Sequence, residues 1–270
     1  LIAGTNAGLA ITTASTSGCC NILIGLSAGL GVNNGGGNLL LGAFAGRCVK
    51  SGNGNTVIGQ TAKLGNASVS VVIGAYSGSN NDCSNRNILI GQDTGKCFCQ
   101  HQNEGNVIIG MYAGKMCKGG TNNEKNVIIG WQANCAGGKE SKYNVYIGCG
   151  AGKHAGGNSS TERNVALGVN ALNALNNGNC LEAHTNTAVG PNAGSALTVG
   201  CCNTFLGAYA GGIRCSAQEV AGCTPSNNTA IGSRAGARNV RGCNNVWVGA
   251  QAGSYASMTT ANVMIGYQAG

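Results

Sequence analysis

The stretch Asn106-Val-Ile-Ile-Gly-Met-Tyr-Ala-Gly114 decides the fold, because the chain repeats it many times with small changes. A second copy, Asn-Val-Ile-Ile-Gly-Trp-Gln-Ala-Asn, runs from Asn126 to Asn134, and a third begins at Asn144. Recurrence of a short motif at a regular spacing is the signature of a solenoid or another repeat architecture. The chain is therefore best described as one repeat unit and its variations.

The glycine that follows the apolar triplet is the reference position of each repeat, and we name it the pivot. Fifteen copies align on it with a mean spacing of about 19 residues, within the range of stacked repeats. The pivots are Gly4, Gly25, Gly42, Gly59, Gly74, Gly91, Gly110, Gly130, Gly148, Gly168, Gly190, Gly207, Gly232, Gly249 and Gly266. We predict a single all-β domain over residues 1–270, a parallel β-solenoid (β-roll or β-helix) of about fifteen rungs with variable outer loops. Because the chain begins and ends inside its repeat, we expect it to be a fragment of a longer repetitive chain.

Each triplet before a pivot predicts a short strand, since it is apolar or β-branched and lies between Asn and Gly. The residue directly before the pivot is the strictest of the three, so we predict that it faces the interior together with the residue two positions earlier. The predicted repeat core is Ile24, Leu41, Ile58, Ile73, Ile90, Ile109, Ile129, Ile147, Leu167, Val189, Leu206, Ile231, Val248 and Ile265. The residue between them is also apolar and would point outward. Such a row is more than a lone solenoid should expose, so we expect a second layer or identical subunits to cover it.

Asparagine stands four residues before nearly every pivot, with Ser70 as the exception. Asn tolerates left-handed backbone angles, which suits a recurring corner, and Asn residues stacked in register can form a ladder of side-chain amides. The predicted corner residues are Asn21, Asn38, Asn55, Asn87, Asn106, Asn126, Asn144, Asn164, Asn186, Asn203, Asn228, Asn245 and Asn262. The third residue after the pivot is always small and is usually followed by Gly, which predicts a second tight corner.

The net charge and the composition disfavour two classes of partner. The net charge is +8, but only 9% of the residues are charged, and the basic residues are scattered through the loops. Nucleic-acid binding would need a basic stripe with aromatic platforms, so we expect no nucleic-acid partner. No apolar run approaches the length of a membrane span, so we expect no membrane span either.

The fifteen cysteines all lie outside the strand triplets, and fourteen of them are in the loops between repeats. Successive loops stack in a solenoid, so Cys97 with Cys117, or Cys117 with Cys135, could meet at bridging distance. We predict structural disulfides that connect rungs, which would place the protein outside the reducing cytosol. The candidates are Cys19, Cys20, Cys48, Cys83, Cys97, Cys99, Cys117, Cys135, Cys149, Cys180, Cys201, Cys202, Cys215, Cys223 and Cys243. The connectivity stays open, and the odd count leaves one thiol free, paired with another chain or separated from its partner.

No group of residues in the sequence predicts catalysis. The segment Cys97-Phe-Cys-Gln-His101 has the wrong spacing for zinc and lacks a matching second pair, so we predict no metal and no cofactor. His101, His154 and His184 lie in separate loops and form no acid–base constellation, so we predict that the protein is not an enzyme. Possible glycosylation acceptors are Asn66, Asn158 and Asn227.

The repeat resembles that of a known family. Asn-Val-Ile-Ile-Gly, Asn-Thr-Ala-Val-Gly and Asn-Thr-Ala-Ile-Gly, each followed by two residues and Ala, look like the Asn-Ser-x-Ala-Ile-Gly-x-x-Ser/Ala repeat of trimeric autotransporter adhesin heads of the YadA type. Asn-Thr-Phe-Leu-Gly-Ala-Tyr-Ala-Gly, from Asn203, also resembles repeats of phage tail fibres and of surface proteins of environmental microbes and large viruses. The resemblance implies that each chain forms a left-handed β-roll and that three rolls pack around one axis.

Two functions fit these features. The first is a structural extracellular fibre or filament subunit, a disulfide-stapled shaft without catalysis, assembled with itself as a trimer or an end-to-end filament. The alternative is a secreted, cell-surface or virion-surface adhesin or receptor-binding fibre head that recognises glycan or protein through its variable loops. Short stacked loops favour the shaft, whereas the long loops around Cys180 and around Cys215 and Cys223 leave room for the adhesin.

Overall fold

A computed structural model describes residues 1–11, 19–79, 85–96, 103–115, 122–136, 140–155, 160–175, 183–212, 225–238, 242–256 and 259–270. The chain divides into two compact units, Leu1–Trp131 and Gln132–Gly270. Both units use the same repeat, and the prediction of a single domain stays a prediction. In the described ranges, no helix has the length and apolar character needed to cross a membrane.

The described part of the first unit contains nine short strands. They are β1 (Ile2–Ala3), β2 (Ile22–Ile24), β3 (Leu39–Leu41), β4 (Thr56–Ile58), β5 (Val71–Ile73), β6 (Ile88–Ile90), β7 (Val107–Ile109), β8 (Asn122–Glu124) and β9 (Val127–Ile129). All except β8 precede a pivot, and these eight strands pair side by side in parallel. The pairing keeps equivalent residues opposite each other, so Leu40 pairs with Val57 and Val57 with Val72.

The described part of the second unit contains ten strands in two parallel sheets. They are β10 (Glu140–Lys142), β11 (Val145–Ile147), β12 (Ser160–Glu162), β13 (Val165–Leu167), β14 (Ala183–His184), β15 (Thr187–Val189), β16 (Thr204–Leu206), β17 (Thr229–Ile231), β18 (Val246–Val248) and β19 (Val263–Ile265). Strands β10, β12 and β14 form the smaller sheet, and the other seven are the triplets before pivots. The predicted fold class, an all-β parallel solenoid, is confirmed.

From β2 to β18, the middle residue of each triplet before a pivot lines the interior, and its two neighbours face outward. Val57, Ile108 and Phe205 are fully buried, whereas the residues beside them are partly or fully exposed. The alternation along the strand was predicted correctly, but the interior was assigned to the wrong face. After the triplet, the third residue beyond the pivot joins the middle residue in the interior, which explains why it is always small. The residues that were predicted to form the core and that instead face outward are Ile24, Leu41, Ile58, Ile73, Ile90, Ile109, Ile129, Ile147, Leu167, Val189, Leu206, Ile231, Val248 and Ile265.

Large and small side chains alternate in part of the interior of the second unit, from Ala188 to Trp247. Phe205 pairs with Ala188 on one side and with Ala230 on the other, and Ala230 pairs in turn with Trp247. All four side chains are fully buried. An alanine above or below each aromatic ring leaves the volume that the ring fills, so the interior stays packed although its residues differ greatly in size.

The repeat asparagines form a buried ladder of amides, as the sequence predicts. Asn203 donates from its main-chain N and its Nδ2 to Asn186 Oδ1, at 3.1 and 2.9 Å, and from Nδ2 to the carbonyl oxygen of Pro225 at 2.8 Å. Asn203 Oδ1 accepts two hydrogen bonds from Asn228, at 3.0 and 3.1 Å. The prediction of a left-handed angle at the asparagine itself was wrong. The residue before it takes that angle, as Cys202 does with φ 58°, which frees the amide to point inward.

The pivot glycines occupy a backbone conformation that L residues rarely adopt. Their φ angles lie between 124° and 137°. The pivots also stack closely, since a Cβ on Gly59 would lie 2.5 Å from the carbonyl oxygen of Gly74. Both constraints demand glycine, which explains why this position never varies.

We expect the substitution Asn203→Asp to lower the free energy of unfolding by about 3 kcal/mol at pH 7, because it removes the Nδ2 donors and buries a carboxylate. The loss should be smaller at pH 4, where the carboxyl group is protonated. Urea denaturation followed by circular dichroism at both pH values measures this. The matched control is Asn244→Asp on an exposed corner, which should change stability by less than about 0.5 kcal/mol. Equal losses for the two variants would contradict the role of the ladder.

We expect Gly59→Ala to destabilise the fold by about 3 kcal/mol, because the new methyl group would meet the backbone of the next rung as well as an unfavourable φ. Gly54→Ala is the control, since Gly54 also has a positive φ of 65° but no atom within 4 Å of its Cβ position. It should cost only about 1 kcal/mol. Thermal denaturation measures the loss of stability in each variant. Gly54→Ala reports the backbone strain alone, and Gly59→Ala reports the strain together with the steric contact to the next rung.

Candidate functional site

The outer face of the triplet sheet is apolar in every repeat from β2 onward. Its two outward positions hold only Val, Ile, Leu or Thr and never a charged residue. In the first unit, Ile22, Ile24 and Ile88 are 41%, 39% and 37% exposed, and in the second Leu206 is 44% exposed. Strands spaced about 4.8 Å apart give each unit a face of roughly 35 Å by 10 Å. An apolar surface of this regularity is typical of an interaction site.

In some repeats, the residue directly after the pivot is also an exposed apolar residue. Leu26, Met111 and Trp131 in the first unit are 46%, 41% and 48% exposed, and Val169 in the second is 48% exposed. These side chains add exposed apolar surface directly after the strand triplets. An outward apolar face was predicted from the sequence, but with a different set of side chains.

Six of the predicted disulfide cysteines are free thiols: Cys19, Cys20, Cys48, Cys149, Cys201 and Cys202. The register of the rungs explains why they do not connect successive rungs. The amide of Gly37 donates to the carbonyl oxygen of Cys19 at 2.9 Å, and Cys201 Sγ lies 3.6 Å from Ser226 Oγ, so glycine or serine occupies the adjoining rung. Cys135 and Cys243 are partly exposed. Cys83, Cys97, Cys99, Cys117, Cys180, Cys215 and Cys223 lie outside the described residues.

Two pairs of adjacent cysteines occupy the same place in their repeats, directly before the ladder asparagine. A hydrogen bond with Cys19, together with its charge, raises the pKa of the Cys20 thiol above its ordinary value. Partial burial, followed by the hydrogen bond with Cys201, raises the pKa of the Cys202 thiol. A raised pKa leaves less thiolate at neutral pH, so these exposed thiols react more slowly than their exposure alone would suggest.

An open cleft of about 990 Å³ lies on the second unit and combines basic, aromatic and polar side chains. Its lining includes Tyr209, Arg234, Arg238, Gln251 and Tyr255. The Arg238 guanidinium lies 4.9 Å from the centre of the Tyr255 ring, a cation–π contact. This cleft was not predicted from the sequence, because its residues come from successive repeats. Aligning the residues that follow each pivot would have placed Tyr209, Arg234 and Gln251 in one column.

The histidines stay apart in the described chain. Burial and the charge of Lys153 lower the pKa of His154, while His184 Nδ1 lies 3.2 Å from Thr185 Oγ1 in the neighbouring residue. Among the described residues, no group of three His, Cys, Asp or Glu side chains could hold a metal ion. Residues 97–101 lie outside them, so the absence of a metal stays a prediction.

Two of the three possible glycosylation acceptors lie among the described residues, and both are exposed. Asn66 Oδ1 accepts hydrogen bonds from the amides of Lys50 and Ser51 at 3.1 and 3.3 Å, which ties its side chain to the neighbouring rung. Asn227 occupies a left-handed corner with φ 58°. Asn158 lies outside the described residues.

Comparison with protein-family models, curated proteins and solved structures found no match to this chain. The likeness to adhesin heads and tail-fibre repeats therefore stays a resemblance of short motifs. The repeat architecture, the apolar sheet face and the cleft are the features on which a function can be argued.

We expect Cys19→Ala to accelerate alkylation of Cys20 by iodoacetamide several-fold at pH 8, because it removes the neighbour that raises the Cys20 pKa. Mass spectrometry of the labelled peptides measures the rate. Cys202 in the same sample is the internal control, and its rate should not change. In the wild-type chain, the rate at Cys20 should keep rising through the alkaline range. An unchanged rate at Cys20 would refute the coupling of the two thiols.

Proposed function

We propose that this chain is a non-catalytic structural subunit of an extracellular fibre, which associates with identical copies through the apolar sheet face. The observation that supports the proposal is the uniform row of exposed Val, Ile, Leu and Thr side chains on that face. Water in contact with such a row is unfavourable, and burying apolar surface contributes about 25 cal/mol per Å². Burying a face of roughly 350 Å² on each unit would contribute several kcal/mol, which acts against the entropic cost of association.

The best-matched partner for this face is a second copy of the chain. The rows of side chains recur at the strand spacing of about 4.8 Å, and a second copy of the chain presents rows of the same residue types at the same spacing. Two such faces can interdigitate along their whole length without meeting a charge. Because the face is the same on each copy, the contact can be isologous in a dimer or can repeat around an axis in a trimer.

The exposed cysteine pairs fit this assembly better than they fit bridges between rungs. Cys20 and Cys202 are exposed and stand beside rungs that offer no cysteine. In the proposed fibre they form disulfides between copies after assembly, and a small-molecule disulfide of the extracellular medium accepts the two electrons and the two protons as it is reduced to two thiols. The extracellular location rests on the high cysteine content and on the resemblance to surface fibres.

We expect the double substitution Leu206→Lys and Ile231→Lys to convert oligomers into single chains, because it places charges where the apolar faces meet. Both residues are exposed, at 44% and 37%, so the fold should tolerate the change. Sedimentation velocity measures the mass, and circular dichroism checks the fold. Asn244→Lys is the matched control, because Lys125 naturally occupies the equivalent corner position with φ 54°. This control should assemble like the wild type.

Electron microscopy of the wild-type protein, with and without reductant, supplies the second test. Fibres or oligomers that loosen under reductant would support bridges between copies. A wild-type chain that sediments as a single species of 26.8 kDa at high protein concentration would refute self-association through this face.

A further inference from the structure

The cleft on the second unit is built from two ridges that run along the stack. Tyr209, Arg234 and Gln251 each stand two residues after a pivot, and they form one ridge. Arg238 and Tyr255 each stand six residues after a pivot, and together with Ser254 they form the other. Backbone hydrogen bonds between rungs hold the first ridge in place, from Arg234 N to Ala208 O at 2.9 Å and from Gln251 N to Ser233 O at 2.8 Å. The cleft is therefore preformed on a rigid scaffold.

The charge of the cleft is not balanced by any described residue around it. Arg234 and Arg238 are exposed, and neither forms an ion pair within the described part of the second unit. The described residues from 183 to 270 include no Asp or Glu at all. A guanidinium group presents a planar fork of donors that matches a carboxylate or a sulfate, so this pair of arginines favours an anionic ligand.

The tyrosines add a second recognition element beside the arginines. Tyr209 is 50% exposed and Tyr255 is 72% exposed, so both rings offer surface to a ligand. The ring face of tyrosine packs against the C–H groups of a sugar ring, while its hydroxyl group and the side chains of Gln251 and Ser254 can hydrogen-bond sugar hydroxyls. A few convergent polar groups around an apolar platform are typical of a small-ligand site.

We propose that this cleft binds an anionic saccharide, whose carboxylate or sulfate groups pair with Arg234 and Arg238 while a sugar ring packs on Tyr209 or Tyr255. The lining residues come from four adjacent rungs, so the cleft is about 14 Å long along the stack. That length accommodates a short saccharide. It is too short, and has too few cations, for the run of phosphate contacts on which nucleic-acid affinity depends. The site adds a binding activity to the proposed fibre and does not depend on self-association.

Isothermal titration calorimetry of the full chain tests the site with three saccharides. A heparin-derived hexasaccharide supplies sulfate, an oligogalacturonide of similar length supplies carboxylate alone, and maltohexaose is neutral. We expect at least one anionic saccharide to bind at least about tenfold more tightly than maltohexaose, since one charge-assisted contact is worth that much. Stronger binding of the hexasaccharide or of the oligogalacturonide identifies the preferred anion. Equal affinity for all three would overturn the proposal.

Substitutions place the binding in the cleft. Arg234→Gln and Arg238→Gln should each lower the affinity for the anionic saccharide by about tenfold. Tyr255→Ala should also lower this affinity, but without changing its dependence on salt concentration. Arg47→Gln is the matched control, because Arg47 lies 5.9 Å from the centre of the Phe44 ring in the same kind of cation–π contact but in the first unit. Equal losses for Arg47→Gln and Arg234→Gln would show non-specific attraction to a basic protein and would overturn the site.

Two further measurements distinguish saccharide binding from nucleic-acid binding and from self-association. A single-stranded oligodeoxynucleotide that binds more tightly than either anionic saccharide, and loses affinity with Arg234→Gln, would assign the cleft to nucleic acid and overturn the proposal. The Leu206→Lys and Ile231→Lys variant should bind saccharide with unchanged affinity, since its changes lie on the sheet face. Loss of assembly with retained binding would then separate the two roles.

Discussion

The buried hydrogen bonds between asparagine amides set the register of the rungs, and the rest of the structure depends on that register. Asn55 bonds Asn38 on one side and the amide of Ser70 on the other, so each side chain links its own rung to the next. A slip of one residue would leave these amides buried without partners, at a cost of a few kcal/mol for each. Because slipping is costly at every rung, equivalent residues stack, and the stacking forms both the apolar face and the ridges of the cleft.

Much of the architecture could be predicted from the sequence because the repeat has strong local constraints. A triplet between Asn and Gly can only be a short strand, and glycine is required at a pivot whose φ lies near 130°. The amide ladder follows from stacking asparagines at one spacing. Ser70 shows how a departure is accommodated, since its Oγ accepts a hydrogen bond from the Asn87 amide at 3.2 Å. The substitution keeps the main-chain link but loses the contact between side-chain amides.

The assignment of the interior failed because both faces of the triplet are apolar, so hydrophobicity alone could not choose between them. The least variable position of the triplet was predicted to be the core. In the structure the most variable position is buried, from Ala188 and Ala230 to Phe205 and Trp247. The disulfide prediction rested on the stacking of successive loops. It did not establish which residues of those loops lie opposite each other. The register places Ser226 beside Cys201, which a column-by-column alignment would have shown.

The division between a varied interior and a uniform exterior reverses what is usual in soluble proteins, and the reversal has a physical basis. Inside the coil, the rings of Phe205 and Trp247 are matched by Ala230 on the rung between them, so volume is conserved over these neighbouring rungs and individual residues can differ. In the proposed assembly no such compensation would be available on the outer face, because each side chain would have to fit the surface of the neighbouring copy. Rows of Ile, Val and Leu that scarcely change, such as Ile109 and Ile129 in the first unit, are what a repeating contact at a constant spacing demands. The uniformity of the outer face is therefore stronger support for self-association than its hydrophobicity is.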